Sequence, residues 1–348
     1  MFRDLKYLIA YIAPASALLA VLWQGTWSYA TLIVAFGLIP LIEQFAPGTT
    51  RNLTPEEEAK KTESPLFDLL LYLNLPILYA ILWLYFSAVR NDALQTWEVV
   101  GMTISVGILT GTIGINVGHE LGHRRKKYEQ IMAKALLTPA LYTHFYIEHN
   151  RGHHVWVSTP QDPSSAKLGE NLYHFWLRSV YGTYINGWRL ENDRLRRAGK
   201  PVLSFANEMI WLDACKIAYL FGVGWFFGWV GVGYAVLVAI VGFLLLETVN
   251  YIEHYGLSRK LLPNGFYEKV APWHSWNSNH ELGRIFLYEL TRHSDHHYKA
   301  TRKYQILRHF DESPQLPHGY PASMLLALVP PLWFAVMDKK VKNQEVAG

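Results

Sequence analysis

Six stretches of this chain are apolar over about the 20 residues that a helix needs to cross a bilayer, and that leaves few soluble folds open. They lie roughly at 7–24, 28–46, 66–88, 98–118, 210–230 and 231–251. Backbone polar groups inside lipid must be satisfied within the segment, so each stretch is expected to be a helix. Hydrophobic residues make up 51% of the 348 and charged residues only 17%, against ~25% charged in an average soluble domain. Turns such as Gln24-Gly-Thr, Val89-Arg-Asn-Asp and Gly231-Val-Gly separate some of the runs. The charged stretch Pro47 to Ser64 reads as a loop. A secretory signal over residues 1–20 is the competing reading, and further spans after a long apolar run count against it. Two shorter runs, 131–147 and 321–337, read as buried or interfacial helices, the second interrupted by Pro330-Pro331. The fold class expected is all-α, a polytopic membrane protein of six transmembrane helices forming one domain over 1–348.

Lysine and arginine set the orientation. With residue 1 on the cytoplasmic side, the segments 47–65, 119–209 and 252–348 are cytoplasmic as well. They carry Arg51, Lys60, Lys61, the run Arg124 to Lys127, Arg189 to Lys200, and Arg259-Lys260, whereas the opposite side has Arg90 alone. A multi-pass membrane protein is the expectation, with segments 119–209 and 252–348 as a cytoplasmic cap. No nucleic-acid partner is expected.

That cap holds nine histidines in four clusters. They read His119-Glu-Leu-Gly-His123, Glu148-His149-Asn-Arg-Gly-His153-His154, Asn250-Tyr-Ile-Glu-His254, and His293-Ser-Asp295-His296-His297. Imidazole ligates iron, copper, zinc and nickel, and one zinc takes three or four protein ligands. Nine therefore point to two metals. His119 and His123 share a helix face, as do His149 and His153, and the spacing of His293, His296 and His297 puts all three on one stripe. The lone cysteine, Cys215, excludes a disulfide framework, a multi-cysteine zinc site and an iron–sulfur module within the chain.

His119-Glu120-Leu-Gly-His123 also matches the zinc-protease pattern, with Glu120 as general base. That reading leaves most of the other histidines without a role. A histidine-rich metal transporter is a further alternative, against which the one-sided position of the clusters counts. Glu120, Glu148, Glu253 and Asp295 are expected as acceptors from imidazole N–H groups. Glu247 and Asn250 continue a polar stripe up the sixth span, and ionisable residues at that depth mark function. On the fourth span Thr112 and Asn116 form a polar stripe with His119 and His123, and Gly107, Gly111, Gly114 and Gly118 fall on one side of the helix. They serve helix packing or form a slot for a slim apolar substrate. Trp23, Phe36 and Ile39 are candidates for setting its depth.

Taken together, the histidine boxes, Thr159-Pro-Gln-Asp162-Pro, Asn250-Tyr-Ile-Glu-His254-Tyr-Gly-Leu257 and Arg292-His293-Ser-Asp295-His296-His297 with Thr301-Arg302 resemble the bacterial membrane-bound alkane 1-monooxygenases. Xylene monooxygenase and the fatty-acid desaturases carry similar boxes. The resemblance implies O2-dependent hydroxylation of a terminal methyl group of a medium-chain linear alkane to a primary alcohol. It implies two non-haem iron ions held by the nine histidines, with electrons from rubredoxin and an NAD(P)H-dependent rubredoxin reductase. Because the rubredoxin cysteines are missing here, that donor is a separate chain or lies beyond residue 348. A desaturase or xylene-type hydroxylase is the alternative it leaves. The alkane would enter from membrane lipid, and the basic run Arg189, Arg194, Arg196, Arg197 is a candidate surface for an acidic donor.

Overall fold

A computed structural model describes every residue except Met1, Pro47 and Gly348. Among the described residues, five helices are long and apolar enough to cross a membrane: α1 (Asp4–Trp23), α2 (Gly25–Glu43), α3 (Pro65–Ala88), α4 (Thr96–Gly122) and a 47-residue helix Glu208–His254. Between α4 and that helix run α5 (Lys127–Leu137) and α6 (Leu172–Arg197), so the long helix is α7. After it come α8 (His293–Tyr298), α9 (Tyr320–Ala327) and α10 (Pro330–Ala347). No β-strand occurs among the described residues.

A straight helix as long as α7 would measure about 70 Å, over twice the ~30 Å hydrocarbon core. It does not run straight. Gly228 has φ 73 and ψ −178, a conformation open to glycine alone at no steric cost. A Cβ at Gly224 would come within 3.2 Å of Val232, eight residues later. The chain therefore reverses there as a hairpin of two helices, three residues before the turn expected at Gly231.

The centre of the bundle is α4, with 78% of its apolar window buried against 28% for α7. Its glycines let neighbouring backbones approach, in two directions. A Cβ on Gly107 or Gly111 would strike Val241 or Leu245 of α7, whereas Gly114 and Gly118 face Leu136, Leu137 and Ala133 of α5. The single glycine face expected from regular spacing is split because Thr110–Ile115 is a π-helical turn. Its i→i+5 bonding shifts the register of everything after it.

Other expectations also change. Within 47–64, Pro55–Glu63 is a helix, with Pro47 itself outside the described residues. Thr54 Oγ1 accepts from the Glu57 amide while Glu57 accepts from the Thr54 amide, a capping box that outweighs the polar composition. The run 131–147 is no single helix, since α5 ends at Leu137 and Leu141 takes φ 53. In 321–337, α9 and α10 meet at 119°, with Pro330 opening α10, where a missing amide proton costs nothing.

Candidate metal centre

All nine clustered histidines come together, in two groups. His119, His123, His149, His154 and His296 form one, and His153, His254, His293 and His297 the other. Within each group the candidate ligand nitrogens lie within 4.8 Å of one another. Nε2 of His119 is 2.8 Å from that of His296, and His154 Nε2 is 3.0 Å from His149 and 3.1 Å from His296. In the second group, His297 Nε2 is 2.8 Å from His293 and 3.2 Å from His153, and His293 is 3.2 Å from His254. The groups adjoin, with the His154 and His297 rings 4.5 Å apart.

Local backbone decides which ring goes where. His149–His153 is a π-turn in which the His154 amide donates to the His149 carbonyl. That i→i+5 closure brings His149 and His154 to one group and sends His153 to the other. On α8, His293 and His297 serve the second group and His296 the first, so the stripe expected to converge on one point straddles two. His119 and His123 lie at the end of α4, and His254 closes α7.

The donor set fits metal ions. A ring nitrogen offers either one proton or one lone pair, so Nε2 atoms with two close neighbours cannot satisfy each other. A shared cation can. Burial, followed by neighbouring imidazoles, holds His149, His154, His293, His296 and His297 well below the ordinary histidine range. Burial takes His123 to about 3. These rings are therefore neutral, the form that ligates. His153 goes the other way. Its burial is outweighed by the charge and hydrogen bond of Asp162.

The surrounding polar residues differ from expectation. His153 Nδ1 is 2.9 Å from Asp162 Oδ2, which also accepts from Ser165. Asp162 had no role assigned from sequence, although it stands in the Thr159-Pro-Gln-Asp162-Pro run. Of the four carboxylates expected beside the imidazoles, only Glu253 reaches one, 3.2 Å from His293 Nε2. Glu120 accepts from Arg124 and from the Tyr304 amide, which leaves it no place as a protease-type base. Glu148 is bonded to Asn186, and Asp295 to Arg302 and the Arg308 amide. Glu247 accepts from Tyr142, Ser179 and Asn250. Each carboxylate found a nearer donor than an imidazole. Asp162→Asn keeps the shape but loses the charge facing His153. A loss of roughly 10- to 100-fold in metal affinity is expected, read by titrating metal into the stripped protein.

An apolar cavity borders the histidines. Gly111, Thr112, Asn116 and His119 of α4, Leu245, Leu246, Val249 and Asn250 of α7, and Leu287, Leu290 and His293 line it. Phe145 closes it beside His149, stacked at 4.6 Å. Gly107, Gly114 and Gly118 pack against helices instead, and Trp23, Phe36 and Ile39 do not line it. Leu245 and Leu287 carry no sequence signal that sets them apart from other membrane leucines.

Comparison with known proteins agrees with this site. A model of the fatty acid desaturase family matches residues 95–325. The chain is 43% identical to alkane 1-monooxygenase 2 of Pseudomonas aeruginosa over 325 residues, 92% of this chain and 85% of that protein. Identity to an alkane 1-monooxygenase of Pseudomonas putida is 40%, over 90% of this chain and 77% of the relative. The hydroxylase component of a xylene/toluene monooxygenase from Pseudomonas putida is 28% identical, over 96% and 88%.

Proposed function

Because the chain belongs to the fatty acid desaturase family, and within it to the alkane 1-monooxygenases, we propose that it hydroxylates medium-chain n-alkanes at the terminal methyl group. It is a multi-pass membrane monooxygenase. The observation that carries the finer reading is that members of both imidazole groups line one apolar cavity. In this reading the nine histidines hold two irons, which when bound supply the activation of O2 that an inert C–H bond requires.

The protein's own residues supply shape, dryness and ligands. An alkane offers nothing to hydrogen-bond, so leucine, valine and phenylalanine walls position it by contact alone. The polar side chains in that wall are already engaged. Thr112 donates to the Ile108 carbonyl, Asn116 to the Leu287 carbonyl, Asn250 to Glu247, and Glu253 accepts from Tyr320. Among the described residues no lysine or arginine lines the cavity, which favours a hydrocarbon over a fatty-acid carboxylate there.

We further propose six membrane crossings, counting α7 as two, with the histidine cap on the cytoplasmic face of a bacterial inner membrane. Positively charged loops on that side support this. Electrons come from a rubredoxin served by an NAD(P)H-dependent reductase. On α6, Arg194 is held by Glu191 and Arg196 by Asp193, so exposed Arg189 and Arg197 are the cations left to meet an acidic donor.

Purified protein given octane, O2, reductase and rubredoxin should yield 1-octanol by gas chromatography. An alkene product would support the desaturase reading, and no oxidised product would contradict both.

A further inference from the structure

One strip of backbone separates the apolar cavity from charged surroundings. Leu287, Leu290 and His293 face the apolar cavity. Arg284, Glu289 and Arg292, from the same strip, line a second cavity of about 1010 Å³ that Lys6, Arg51 and Lys61 also border. The strip turns through Tyr288 at φ 52 and Glu289 at φ 59. Two consecutive non-glycine residues in that region are rare.

Three membrane helices reach out to hold this turn. From α1, Tyr7 Oη donates to Glu289 Oε1 at 2.6 Å. From α3, Asn74 Nδ2 donates to Tyr288 Oη at 2.8 Å. From α4, Asn116 Nδ2 donates to the Leu287 carbonyl at 2.8 Å. All three side chains are buried. Polar side chains are costly in membrane helices, and strained backbone persists only where its surroundings over-determine it.

We propose that Tyr7, Asn74 and Asn116 are positioning residues that keep the strip 287–290 closed as the water-excluding wall of the site. This rests on the hydroxylase reading. A coupled turnover spends one O2, two electrons and two protons on each alcohol and water. Water entry opens a side path in which the same electrons and protons leave as hydrogen peroxide. Removing one anchor loosens the wall without touching a histidine.

The test uses Asn74→Leu and Tyr288→Phe, which share the loss of the Asn74–Tyr288 bond, the first also losing the Asn74 bonds to the Leu70 and Leu71 carbonyls. Hydrogen–deuterium exchange of amides 286–292, in purified protein without substrate, should speed up roughly fivefold in each, the scale of one lost hydrogen bond. The double variant should go little further. Alcohol formed per O2 consumed, a ratio that a smaller folded fraction does not alter, should fall while peroxide rises. Unchanged exchange, or an unchanged ratio with unchanged peroxide, overturns the proposal. A wild-type protein that makes no alcohol overturns the hydroxylase reading instead, and exchange alone then decides whether these anchors hold the strip.

Discussion

His254→Ala should leave the purified chain with about half its metal and no measurable alcohol formation. His254 is completely buried at the end of α7 and is one of only four imidazoles in its group. Its Nε2 lies 3.2 Å from His293, and the neighbouring His153 ring is 5.0 Å away. Three ligands would remain around a centre that had four, with a void where the ring stood. The five-imidazole group keeps all its members, so one metal per chain should survive. The fold should survive too, because the turn after α7 is tied independently. Trp276 donates its ring N–H to the Tyr255 carbonyl, and its amide donates to the Glu253 carbonyl. His254→Asn, which leaves a smaller void, should show the same metal deficit. Full metal content together with full turnover would remove His254 from the ligand set.

Acid should empty the site. The sign follows from six rings of the site that lie outside the membrane helices and whose basicity burial depresses, His123, His149, His154, His293, His296 and His297. An unfolded histidine takes up a proton near pH 6.5, whereas these stay neutral in the fold, His123 down to about 3. Below pH 6.5 the unfolded chain therefore binds more protons than the folded one. Stability is fully present above that pH and falls as the pH drops. Each ring contributes up to about 1.4 kcal/mol per pH unit, and protons compete for the ligating nitrogens in the same direction. Metal content after dialysis should thus be complete at pH 7.5 and be lost in step with acid unfolding of the chain. Metal lost below pH 6.5 from a chain that is still folded would contradict neutral, ligating imidazoles.

Much of this molecule can be read from its sequence, for reasons that differ from element to element. Histidines in tight groups are conspicuous because chance rarely places nine beside the ends of apolar runs. Their assignment to two groups is a different matter. It turns on one i→i+5 hydrogen bond between His154 and His149, and no residue type announces a π-turn. The same kind of turn at Thr110–Ile115 divides the glycines of α4 between two neighbours. The reversal of α7 rests on one positive φ at Gly228, in a run with other glycines equally able to take it. By contrast, the helix Pro55–Glu63 carries a legible signal in Thr54, Pro55 and Glu57, overshadowed by its charged composition. Asp162 is legible only through its motif, since the bond to His153 closes a loop whose path the sequence does not dictate.

Two imidazole-held metals, not one, are expected beside the apolar cavity. Elemental analysis of the freshly purified chain, by plasma mass spectrometry against protein concentration, tests this most directly. Two irons per chain are predicted. One zinc per chain without iron would contradict it.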